Sequence, residues 1–124
     1  MQTELLTGTP GNVTAEAKKL LKKNPNWQVG EFGACADSKG NARVALAMHL
    51  EDSPSRRISD LTITTGTEKT VKAKATKLAK EHVLWSIRRI CPYFTTSEKR
   101  TGKGDKQKVE PTEEPCAAIL FTLG

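Results

Sequence analysis

Cysteine is scarce in this chain and poorly spaced for chemistry. There are three among 124 residues, Cys35, Cys91 and Cys116, and no two form a C-x-x-C pair. The two histidines, His49 and His82, lie far apart in the sequence, so a zinc site is not indicated. An odd number of scattered thiols fits a reducing compartment, and an intracellular location, cytoplasm or nucleus, is expected. Long apolar runs are also missing, and none approaches the length that spans a bilayer. The opening MQTELLTGTPGN lacks the basic and apolar regions of a secretory signal, so no membrane partner is expected. Catalytic constellations are absent as well. Glu31, Asp37, Glu51 and Asp52 are dispersed around one hairpin, no Ser/His/Asp set can be placed, and the G-K-G at 102–104 lacks P-loop spacing. The expectation is a non-enzyme that needs no cofactor.

What the chain has is positive charge. Twenty Lys and Arg stand against fourteen Asp and Glu, a net charge of +6 with a pI near 9.4. The apolar fraction of 36% supports one folded domain with a modest core. The charge fits a nucleic-acid partner, and it also fits plain solubility.

Along the chain, residues 1–12 read as a flexible N-terminal arm. Thr14 is a good N-cap, and Val13, Ala17, Leu20 and Leu21 fall at near-helical spacing among lysines. Asn24-Pro25-Asn26 ends that helix. WQVGEFGACA (27–36) reads as a strand and DSKGN (37–41) as a turn. In ARVALAMHLE, Val44, Leu46, Met48 and Leu50 recur at period two, with Arg43, Ala45, Ala47 and His49 on the other face. LTITTG (61–66) is a third strand on its β-branched content. Thr67 caps a second helix, on which Val71, Ala75, Leu78, Ala79, His82 and Trp85 form one stripe and which runs to about Ile90 before Cys91-Pro92. Residues 95–115, rich in charge and poor in large apolar side chains, read as a mobile linker. CAAILFTLG (116–124) reads as a last strand, either completing a sheet edge or docking on a partner. No internal repeat is visible in the chain. The expected class is α+β: helix, three antiparallel strands in one sheet, helix, with both helices on one face, over residues 13–94.

The second helix carries one feature that propensity does not explain. Lys69 and Lys72 lie in its first turns, where the macrodipole favours acids, a local cost that a bound anion would offset.

Helix, three strands, glycine, then a lysine-rich helix start resembles the double-stranded RNA-binding domain family. In that family the second helix opens K-K-x-A-K-x-x-A-A-x-x-A; residues 68–79 here read E-K-T-V-K-A-K-A-T-K-L-A. Lys69 and Lys72 take lysine places, and Ala75 and Ala79 take small-residue places. Glu68, Val71 and Thr76 depart from the pattern, and D-S-K-G-N stands where the family has G-P-x-H. The resemblance implies binding of duplex RNA by shape, with Lys69, Lys72 and Lys74 bridging phosphates. It also implies contacts from Lys39 and Asn41 in the loop, and from Glu16, Lys19 and Lys23 on the first helix. The rival expectation is a protein-interaction module, with a homodimer or protein partner held through the C-terminal strand.

Overall fold

The structure is a computed structural model that describes the backbone of residues 2–101 and 108–124, and side chains over 2–96 and 112–124. It has two helices and six strands: β1 (Thr3–Gly8), α1 (Pro10–Lys23), β2 (Trp27–Ala36), β3 (Ala42–Leu50), β4 (Asp60–Thr67), α2 (Glu68–Glu81), β5 (Trp85–Thr101) and β6 (Lys108–Leu123). The strands form two antiparallel sheets, in the orders β1-β3-β2 and β4-β6-β5. The α+β class holds. No helix among the described residues is long and apolar enough to cross a membrane.

The two halves are the same motif twice. Each runs strand, helix, strand, strand, and each sheet places its last strand in the centre. The sequence repeats with it. TGTPGNVTAEAKKLLKKNPNW at 7–27 recurs as TGTEKTVKAKATKLAKEHVLW at 65–85, ten of 21 positions being identical. Gly8 and Gly66 both adopt positive φ, 140° and 153°. Thr9 and Thr67 then cap their helices, their hydroxyls accepting from the N–H groups of Asn12 and Thr70. Val13 and Val71 are each buried to 1% exposure. Both helices end alike, Asn24 N–H donating to the Leu20 carbonyl and His82 N–H to that of Leu78. Trp27 pairs with Leu50 and Trp85 with Leu123, and a bulge follows at the same place in each strand, after Val29 and after Ile87. The expectation that the chain holds no internal repeat is therefore corrected.

Other expectations change too. The arm at 1–12 contains β1 and the first turn of α1, so the N-cap is Thr9, not Thr14, with Pro10 in the first helical turn, where its missing N–H costs nothing. The first sheet takes β1 as its third strand; β4 pairs with β6 instead of joining β2 and β3. The helices accordingly lie on different sheets. α2 stops at Glu81, and Trp85–Ile90 is strand, in keeping with its aromatic and β-branched residues. Pro92 is tolerated because β5 is an edge strand. Of the expected linker 95–115, residues 95–101 and 108–115 belong to the paired strands β5 and β6, and 102–107 lie outside the described residues. The C-terminal segment is the central strand of its sheet, flanked by β4 and β5, so it has no free edge to offer a partner.

Residues directly opposite in a ladder share a face, which orders the layers. Leu6, Leu46 and Met48 face α1, and the main core joins them to Val13, Ala17 and Trp27. The same cluster includes Leu61, Tyr93, Cys116, Ala118 and Leu120 of the second sheet. The other face of that sheet carries Ile119 and Phe121, packed under Val71, Ala75, Leu78 and Trp85. The second sheet is thus sandwiched between the first repeat and α2. α1 touches β1, β3 and β4, and β2 lies against β5.

Candidate functional site

α2 exposes nearly its whole outer surface. Val71, Ala75 and Leu78 seat it on the sheet; at 100° per residue Lys69, Lys77 and Lys80 lie on the opposite side, with Lys72 and Lys74 on the two flanks. All five lysines are exposed. The ion pairs among the described residues are Lys18–Asp60, Arg43–Asp37 and His49–Glu51, none of which involves an α2 lysine. Glu68 is the only acid in the first turn.

The β2–β3 turn stands beside the start of this helix. Gly40, Asn41 and Ala42 line one wall of an open cleft of about 320 Å³, and Thr65, Gly66 and Thr67 line another. Tyr93, Thr95, Glu114 and Cys116, at the root of the β5–β6 ribbon, complete it. The turn is held by Asp37, whose Oδ1 accepts from the N–H groups of Lys39 and Asn41, both at 2.9 Å. Gly40 takes φ 81°, which glycine adopts without strain. The hydrogen bond from the Asn41 N–H is the main cause holding the Asp37 carboxyl below its usual range. Desolvation works against it, and the Lys39 N–H and Arg43 add to the lowering. Burial pushes the Tyr93 phenol up, so it stays neutral in the cleft wall.

The residues singled out in the sequence therefore divide into two groups. Lys69, Lys72 and Lys74 share α2, and Lys39 and Asn41 occupy the turn whose base opens on the same cleft. Glu16, Lys19 and Lys23 are exposed on α1, which packs on the opposite face of the second sheet from α2. Lys77 and Lys80 were not singled out. The signal that finds them is the repeat, which puts lysine at the same helical positions in α1, as Lys19 and Lys22. Among the described residues no group of His, Cys, Asp and Glu is arranged to hold a metal. The three thiols are free, exposed at Cys35, half-buried at Cys91 and buried at Cys116.

Comparison with family models, with curated proteins and with solved structures finds no match for this chain.

Proposed function

We propose that the protein binds double-stranded RNA through its phosphates, by shape and without sequence preference, and carries out no chemistry on it. The observation that carries this reading is the exposed lysine face of α2, free of acidic partners among the described residues and opening beside the Lys39–Asn41 turn. Lysines in the first turns oppose the helix macrodipole, and a phosphate at that end relieves the conflict. A-form RNA presents closely spaced phosphates across a deep, narrow major groove, which projecting lysines can bridge. The resemblance of residues 68–79 to the lysine-rich helix of the double-stranded RNA-binding domain supports the same partner. The support lies in this helix and turn, not in the sheet, whose pairing is the chain's own.

The test is a polarisation titration of a labelled RNA duplex of about 20 base pairs beside the matching DNA duplex, over a series of salt concentrations. Binding should prefer RNA and weaken steeply with salt as counterions are released. Lys69→Gln and Lys72→Gln should each lower the salt slope by about one. The double charge reversal to Glu should abolish binding with the circular dichroism spectrum unchanged. Binding that survives the double reversal would sink the assignment to α2, and no binding even at low salt would sink the RNA reading.

A further inference from the structure

The two repeats meet front to back, taking the helix-bearing face of each sheet as its front. The front of the first sheet, with Leu46 and Met48, shares one buried cluster with Leu61, Ala118 and Leu120 on the back of the second. Such a contact uses a different surface on each side, so it leaves one copy of each surface unused: the front of the second repeat and the back of the first.

The exposed apolar side chains collect at those two ends. Ile87, Ile90 and Phe94 pair with Phe121, Ile119 and Pro115, so they share the α2 face, beyond the helix's cover. Val83 and Leu84 lie in the turn that leads there. Leu5, paired with Ala47, is on the open back of the first sheet. The repeat gives these exposures a meaning. Val29 is 4% exposed within the core, whereas Ile87, at the same place in the second repeat, is 52% exposed. The second repeat has an apolar residue at a position that the described residues leave half uncovered. The open back offers a fitting surface. Gly33, Ala45 and Ala47 keep it low, and it carries two shallow, mainly apolar grooves of about 380 and 230 Å³.

We propose that copies of this chain stack head to tail, the front of the second repeat of one docking on the back of the first repeat of the next. The contact between chains reproduces the contact between repeats. Being heterologous, it yields a filament, or a ring where the rotation closes. It leaves Lys77 and Lys80 outside. α1 already lies within such a contact, yet Lys19 and Lys22 remain exposed, and their counterparts on α2 are Lys77 and Lys80. The proposal does not depend on RNA binding.

Sedimentation velocity on nuclease-treated protein at high salt, over a concentration series, tests it. The wild type should form species that grow with concentration. Ile90→Glu spoils the front and Leu5→Glu the back, so each alone should be monomeric. Mixed, the intact front of Leu5→Glu should dock on the intact back of Ile90→Glu and give a 1:1 heterodimer, and nothing larger. Thermal melts establish that both variants are folded, with Ile90→Ser and Leu5→Ser as the milder pair if either is not. A wild type that stays monomeric to its solubility limit would overturn the proposal, as would assembly that survives Ile90→Glu, or a mixture that remains monomeric.

Discussion

Two glycines show how directly one residue type sets the local structure. Gly8 and Gly66 each lie at the end of a strand, directly before the threonine that caps the next helix, and each has positive φ. A Cβ at Gly66 would meet Val71 and Thr70 at no closer than 3.7 Å, so space is not the constraint; the backbone conformation is. Gly66→Ala should therefore destabilise the fold by about 1–3 kcal/mol, the cost of holding a non-glycine residue in a sparsely populated region. Gly33→Ala is the matched control, with ordinary φ and nothing within 4 Å of the added carbon, and should be close to neutral. Urea midpoints with unchanged slopes would measure both. If the two substitutions cost the same, backbone conformation is not what fixes glycine at the strand–helix junction.

At the scale of elements, the sequence was readable where one face is wet and one dry. β3 alternates as its residues dictate, with Val44, Leu46 and Met48 buried and Arg43, Ala45, Ala47 and His49 less so. The end of α2 was not readable. Trp85 continues the helical stripe by spacing, and it does pack against the Val71 cluster, but it reaches that cluster from a strand. The periodicity named the right neighbour and the wrong element. β1 was hidden because its adjacent leucines face opposite ways, Leu6 inward and Leu5 outward. The β5–β6 pair hid the second sheet, because residues 95–115 have the composition of a linker. Its root is Phe94 opposite Pro115, the counterpart of Ala36 opposite Ala42. The first repeat closes that point with Asp37–Asn41 alone. Replacing residues 95–114 with Asp-Ser-Lys-Gly-Asn should thus leave a folded protein whose melting temperature falls by no more than a few degrees. Loss of cooperative melting in the shortened chain would make the ribbon part of the folding unit rather than an extension of it.

For the whole molecule, the repeat was present in the sequence but legible only at one offset, and only across the strand–helix–tryptophan portion. Downstream the longer β5–β6 hairpin breaks the period. The strand residues also diverge because the two sheets have different neighbours. Ala47 stands on the open back of the first repeat, while its counterpart Leu120 is wholly buried on the back of the second. That difference makes Leu120 a bond between repeats. Leu120→Ala removes a side chain from the cluster that both repeats share and should cost about 2–5 kcal/mol. Because neither sheet keeps its main core without the other, the loss should appear as one transition. Trp27 lies in the shared cluster and Trp85 under α2, so Trp85→Phe and Trp27→Phe backgrounds leave a fluorescent reporter in either repeat. Melts followed from the two reporters should coincide, and Leu120→Ala should move both by the same amount. Separate midpoints would mean that the repeats fold independently and that their front-to-back contact is an association of two domains, not the core of one.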